Sequence, residues 1–124
     1  MYKGQSITVI IPCLNEEQGI EKVLRAMPEF VDQIIVVDND STDRTSEVAE
    51  RLGAQVIREE VRGYGRSYKR GFACAKGDLI VTLDGDHSYP VDALSYLIEA
   101  FLHLEVDFLN ASRFPVRDAH AMSV

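Results

Sequence analysis

The chain has 124 residues, 46% apolar and 27% charged, with no Trp, an ordinary globular composition long enough to bury about two thirds of its unfolded surface in one core without metal or disulfide staples. Thirteen Lys and Arg against twenty Asp and Glu leave a net charge of −7, which repels nucleic acid and anionic membrane except where a local basic patch overrides it. Cys13 and Cys74 belong to no Cys-x-x-Cys pair or Cys/His cluster and read as reduced cytosolic thiols; the apolar runs fall far short of the roughly 20 residues of a membrane span, and the start lacks a signal peptide's apolar stretch.

Residues 7–12 are a β-branched run suited to a parallel strand covered on both faces. Residues 16–27 then place Ile20, Val23, Leu24 and Met27 at helical spacing before Pro28. Residues 33–38 make a second buried strand ending in a polar turn, where Ser41 or Thr42 is expected to cap a helix that Gly53 terminates. Residues 54–58 form a short third strand. After a glycine-punctuated turn, residues 62–65, a helix is expected over 67–76, with Gly77 as its stop, and a fourth strand over 78–83. Pro90 opens a helix over 91–104 with Leu94, Leu97, Ile98, Phe101 and Leu102 on one face, and residues 106–111 complete a fifth strand. With no internal repeat or linker, residues 1–124 form one unit. The alternation predicts an α/β fold with a doubly wound, mainly parallel sheet, whose ligand crevice lies at the carboxyl ends of the strands.

The polar clusters fall at those ends. After the first strand, Asn15 suits a helix cap and Glu16 a positive first turn, but both also suit contact with a nucleoside ring or ribose. After the second, Asp38, Asp40 and Asp43 exceed what one turn and one cap require; Asp38 is the candidate acceptor for base or ribose groups, and Asp43 fits a helix dipole. Arg62, Arg66, Lys69 and Arg70 lie beside Gly63 and Gly65, so backbone and cations can jointly approach a phosphate, although Lys69 and Arg70 also fit a solvated helix face. Asp84-Gly85-Asp86-His87-Ser88 carries the sharpest signal. Two carboxylates two residues apart on an extended segment, about 5 Å from each other, repel by roughly 3 kcal/mol at an effective dielectric near 20. A hard Mg²⁺ or Mn²⁺ bridging to phosphate relieves that repulsion. Ser88 is placed to reach the same ion directly or through water, His87 is a weaker ligand, and His103 and His120 fit the surface. Tyr64, Tyr68 and Tyr89 suit stacking on a sugar or base, or a core or rim role.

In chain order, Val9-Ile10-Ile11-Pro12-Cys13-Leu14-Asn15-Glu16, Val37-Asp38-Asn39-Asp40-Ser41-Thr42-Asp43-Arg44-Thr45, Gly63-Tyr64-Gly65 and Asp84-Gly85-Asp86 resemble family 2 glycosyltransferases. Gly71-Phe72 and Gly77-Asp78 make the dolichyl-phosphate mannosyltransferase and polyprenyl-phosphate glycosyltransferase branch the most similar one. The resemblance implies a GT-A fold, a UDP- or GDP-sugar donor, a divalent metal (Mg²⁺ or Mn²⁺) and inversion at the anomeric carbon. It assigns Pro12, Asn15, Glu16 and Asp38 to the nucleoside, and Arg62 with Gly63 and Gly65 to the phosphate-side turn. Asp84 goes to ribose or diphosphate and the metal site, Asp86 to the metal, and Arg113, in Asn110-Ala111-Ser112-Arg113-Phe114, to a phosphate.

Two residues depart from the family pattern: Asp40 stands where a small residue is usual, and Ser88 where some relatives carry a better metal ligand. The resemblance further implies a lipid-phosphate or saccharide acceptor, no nucleic-acid partner, and a place in the cytoplasm or at the cytoplasmic face of a membrane. Five strands and four helices use the whole length, so the chain reads as the donor-nucleotide half of a larger fold, with a sheet edge that a second copy would cover. A sugar-nucleotide-binding module without catalysis is the competing reading. A phosphatase-like or receiver fold fits less well, because the Asp84/Asp86 pair comes late in the chain and Pro12-Cys13-Leu14 replaces the acidic residues a receiver needs.

Overall fold

In the computed structural model, which describes residues 1–87, 90–104, 110–111 and 122–123, the strands β1 (Ile7–Cys13), β2 (Gln33–Asp38), β3 (Gln55–Arg58) and β4 (Leu79–Thr82) form one parallel sheet in the order β3-β2-β1-β4. Helices α1 (Glu17–Arg25), α2 (Thr45–Arg51) and α3 (Tyr64–Cys74) connect them, and α4 (Leu94–Leu104) follows a 3₁₀ turn at Val91–Ala93. The chain steps outward from β1 to β3, then returns across the sheet to β4 on the other side of β1. This reversal opens a crevice at the carboxyl ends of β1 and β4.

β1 is buried along its whole length, so its side chains divide between two cores. Ile7, Val9, Ile11 and Cys13 pack on one face with Ile20, Val23 and Leu24 of α1, Val48 and Ala49 of α2, and Leu94 and Ile98 of α4. Ile10 faces the other way with Ile35 and Val37, under Tyr68 and Cys74 of α3. Each fully buried Val or Ile contributes about 1.5–3 kcal/mol. The sheet is thus covered by three helices on one side and by α3 on the other, the doubly wound arrangement expected from the alternation.

Several boundaries differ from the sequence reading. The fifth strand is not an addition to the parallel sheet: Asn110–Ala111 pairs antiparallel with Met122–Ser123 in a separate two-stranded ladder, and residues 105–109 lie outside the described ones. α3 starts three residues earlier than expected, at Tyr64, so Gly65 is helical instead of part of a turn, and Gly63 takes the N-cap position with φ 142°. Neither Ser41 nor Thr42 caps α2, which begins at Thr45 after Arg44.

α3 approaches the sheet closely because it carries Gly71 where a Cβ would lie 2.6 Å from Ile10 Cγ2. At Gly65 the same atom would meet nothing within 4 Å. The two glycines therefore respond oppositely to alanine. Gly71→Ala should lower stability by about 1–2 kcal/mol through overpacking, despite its gain in helix propensity. Gly65→Ala should raise it by about 0.5 kcal/mol. Urea unfolding of both variants checks the pair of signs.

Candidate functional site

The loops after β1 and β2 are joined by hydrogen bonds between side chains of one and backbone of the other. Three successive amide groups at the entry to α1 donate to oxygens of the second loop: Asn15 N to Ser41 Oγ at 2.8 Å, Glu16 N to Thr45 Oγ1 at 2.9 Å, and Glu17 N to Asp43 Oδ2 at 3.3 Å. In return Thr42 N donates to Asn15 Oδ1 at 2.8 Å. Asn15 therefore caps no helix; Glu16 occupies the N-cap position of α1, and Asn15 sits at φ 54°, a left-handed conformation that Asn tolerates. Asp43 serves two helix starts, since its Oδ1 also accepts the Thr45 amide at 3.0 Å and the Thr45 hydroxyl. Burial alone would raise its pKa, but the hydrogen bonds from Thr45 and Glu17 outweigh it and hold the carboxyl below the ordinary aspartate value.

Asp38 is 1% exposed. Its Oδ1 accepts the Ser41 amide at 2.9 Å, and its Oδ2 accepts the Ser46 hydroxyl and Arg58 Nη1, the latter at 3.5 Å. Arg58 continues to Asp40 Oδ1 at 3.0 Å, and Arg62 Nε lies 3.8 Å from Asp40 Oδ2. Asp40 sits at φ 69°, which explains why this position suits a residue at ease in the left-handed region. Between these carboxylates, Asn39 is a clamp the sequence reading passed over. Its Nδ2 donates to the carbonyls of Glu59 and Val61, both at 2.9 Å, and its Oδ1 accepts the Gly63 amide at 2.8 Å. One buried amide thus fixes the segment carrying Arg62 and Gly63 against the end of β2.

The Asp84–Asp86 loop enters from β4, where Leu83 N donates to Ile10 O at 3.0 Å. Gly85 is buried against Cys13, and a Cβ there would lie 2.5 Å from Cys13 Sγ. A Cβ on Gly19 of α1 would lie 2.4 Å from Gly85 O and 2.9 Å from Asp86 Cα. Gly19 is the second contributor without a sequence signal, since a glycine inside a helix pattern does not reveal which backbone it lets in. The acidic groups converge here. Burial first, then the charges of Asp86, Asp43 and Asp84, push the Glu16 carboxyl above its usual range. Burial followed by Glu16, Asp38, Asp43 and Asp84 drives the Cys13 thiol far above its own. Asn15, Glu16, Asp43 and Asp86 line an open cleft of about 420 Å³.

The glycosyl transferase family 2 model matches residues 8–119. The chain belongs to glycosyl transferase family 2. It is 39% identical over 117 residues to an uncharacterized glycosyltransferase of Mycobacterium tuberculosis, covering 94% of this chain and 53% of the relative. It is 34% identical over 103 residues to the dolichol-phosphate mannosyltransferase of Pyrococcus furiosus, covering 76% and 29%. The solved structure of glucosyl-3-phosphoglycerate synthase from M. tuberculosis, in complex with Mn²⁺, uridine diphosphate and glucosyl-3-phosphoglycerate, superposes with a TM-score of 0.70 at 32% identity, over 80% of this chain and 40% of that one. The chain spans about half the length of the first of these relatives.

The sheet and its alternating helices are the GT-A, Rossmann-like fold of this family 2 member. Of the site residues expected from sequence, Pro12, Asn15, Glu16, Asp38, Arg62, Gly63, Asp84 and Asp86 all lie at or just beyond the carboxyl ends of the strands, and Gly65 lies in the first turn of α3. Pro12 pairs in register with Val37, directly before Cys13 and Asp38. Arg113, Ser88, Tyr89 and His120 lie outside the described residues. Among the described residues no group of three or more His, Cys, Asp or Glu side chains is placed to hold a metal ion, and no helix is long and apolar enough to cross a membrane.

Because folded Asp43 holds its proton less tightly than the unfolded chain does, its contribution to stability is present above the ordinary value of 3.8 and is lost as pH falls through the lower folded pKa. Asp43→Ala should therefore cost about 2 kcal/mol at pH 7, the scale of hydrogen bonds to a charged acceptor. The difference from the parent should shrink in denaturant melts taken below pH 3.8.

Proposed function

We propose that this chain is the donor-binding part of a glycosyltransferase that takes a UDP- or GDP-sugar with Mg²⁺ or Mn²⁺ and transfers the sugar, with inversion, to a polyprenyl phosphate. The observation that carries this reading is the position of Asp84 and Asp86 just beyond the carboxyl end of β4, near Glu16, whose carboxyl is held above its ordinary range first by burial and then by the charges of Asp86, Asp43 and Asp84. The donor set fits a hard divalent cation. It offers carboxylate oxygens only, and too few to enclose an ion among the described residues, which is the arrangement that Mg²⁺ or Mn²⁺ completes with substrate phosphates and water.

In this reading Asp84 and Asp86 hold the cation, which when bound supplies charge neutralisation for the departing nucleoside diphosphate. Asn15 and Glu16 face the nucleoside beside Pro12. Asp38 holds it indirectly, since its oxygens already brace Ser41, Ser46 and Arg58 and thereby fix the turn that borders the base and ribose. Arg62, Gly63 and Gly65 bound the crevice on the β3 side, and Arg113 approaches a phosphate. A phosphate acceptor is favoured because it is largely ionised at neutral pH and needs no general base to become a nucleophile, unlike a hydroxyl. Named relatives of this chain include a dolichol-phosphate mannosyltransferase and an undecaprenyl-phosphate 4-deoxy-4-formamido-L-arabinose transferase.

Calorimetry with UDP-glucose and GDP-mannose, with and without Mn²⁺, tests the assignment. Affinity should rise with the cation, and Asp86→Asn should lower the Mn²⁺-dependent affinity about tenfold or more, equivalent to about 1.4 kcal/mol, with little effect when the cation is absent. Nucleotide binding indifferent to both Mn²⁺ and Asp86 would overturn the metal assignment. Binding without transfer to a polyprenyl phosphate would leave a sugar-nucleotide-binding module.

A further inference from the structure

Charge is not spread evenly over this acidic chain. Residues 58–76 hold Arg58, Arg62, Arg66, Lys69, Arg70 and Lys76 with Glu59 and Glu60, so six cations less two anions leave +4 there and −11 over the remainder. Within this stretch α3 contains no acidic residue, whereas α1 and α2 each mix both signs, with Arg25 paired to Glu21 in α1 and Arg51 beside Glu47 and Glu50 in the α2 sequence.

Helix geometry then sorts the cations. Ser67 and Gly71 face the sheet and are buried. Arg66, Lys69 and Ala73, at i, i+3 and i+7, make the opposite stripe, Lys76 follows just past the helix end, and all four are exposed. Arg58, Arg62 and Arg70 are tied to Asp38, Asp40 and Glu59. No ion pair among the described residues engages Arg66, Lys69 or Lys76. The flank of the stripe is apolar: Val61, Tyr64 and Phe72 are 51%, 64% and 49% exposed, and Tyr68 links the two rings with centroids 6.3 and 6.2 Å away. α1, α2 and α4 pack on the other face of the sheet, so α3 forms the outermost layer of the described residues on its own side.

We propose that the outer face of α3 docks the protein on an anionic lipid bilayer, with Arg66, Lys69 and Lys76 over the headgroups and Val61, Tyr64 and Phe72 at the interface. Unpaired cations beside exposed aromatic rings are the combination that a negatively charged membrane surface attracts. A flat surface meets this face alone. A nucleic acid wrapping the molecule would instead meet the −11 of the remainder. The inference stands apart from the transfer reading, to which a lipid-borne acceptor would give it a purpose.

The test is sedimentation of the chain with sucrose-loaded vesicles of phosphatidylcholine alone or with phosphatidylglycerol. The chain should pellet with the anionic vesicles only, and less as salt rises. Each neutralised cation should lower partitioning about fivefold, so Lys69→Gln/Lys76→Gln should bind about 25-fold more weakly, and Phe72→Ala should weaken binding further. The proposal is overturned if that double variant, folded by circular dichroism, pellets like the parent, or if uncharged vesicles bind equally. Retention on immobilised polyglutamate without vesicle binding would also overturn it, assigning the face to an acidic protein. UDP and Mn²⁺ calorimetry on the same parent chain separates the two readings: vesicle binding lost with nucleotide binding intact sinks only this one.

Discussion

The exchange of hydrogen bonds between the first two strand-end loops is the constraint on which the crevice depends. Consecutive amides at residues 15, 16 and 17 are each taken by a different side chain, Ser41, Thr45 and Asp43, while Asn15 returns an acceptor to Thr42. The orphan amides of a helix start must find partners when partly buried. Here those partners come from the neighbouring loop, so α1 cannot be positioned without α2. The same bonds set Glu16 next to Asp43 and, through the contact of Gly19 with Gly85 and Asp86, bring the second acidic loop alongside.

This use of the α1 amides changes what the crevice can recognise. A helix start with free amides attracts anions, but three of these are already occupied, and Glu16, Glu17, Asp43 and Asp86 line the cleft together with Lys22 and His87. The Glu16 carboxyl there is held above its ordinary range first by burial and then by the charges of Asp86, Asp43 and Asp84. On the β3 side the opposite arrangement holds: Arg58 and Arg62 flank Asp40, so a diphosphate lying across the strand ends would run between an acidic edge and a basic one.

Much of this was legible because it is written in short-range pattern. The β-branched runs ending at Cys13 and Asp38 announced buried parallel strands, and the alternation of elements announced the doubly wound sheet. The acidic pair after β4 stood out for the same reason, since Asp84 and Asp86 are two residues apart. What stayed hidden depends on residues far apart in sequence. Asn15 and Ser41 both read as local caps, because each is a good capping residue and nothing nearby shows that they would bond to each other's loops instead. Asn39 carries no signal of its own within that polar turn, yet its amide reaches carbonyls 20 and 22 residues away. Gly65 joined α3 because Gly63 alone absorbs the unusual backbone angle.

One topological fact accounts for the separation of charge across the molecule. Because the chain crosses from β3 to β4 on the face opposite α1 and α2, the crossover helix α3 is isolated from the acid-rich loops that those helices start from. A basic helix on the crowded face would sit among Glu17, Glu21 and Glu47 and lose its field to ion pairs. On the sparsely covered face, among the described residues, Asp38, Asp40 and Glu59, at the β2 and β3 ends, reach its neighbouring arginines. The strand order that opens a crevice beside β1 is thus the same feature that lets an acidic protein keep a cationic helix apart from α1 and α2.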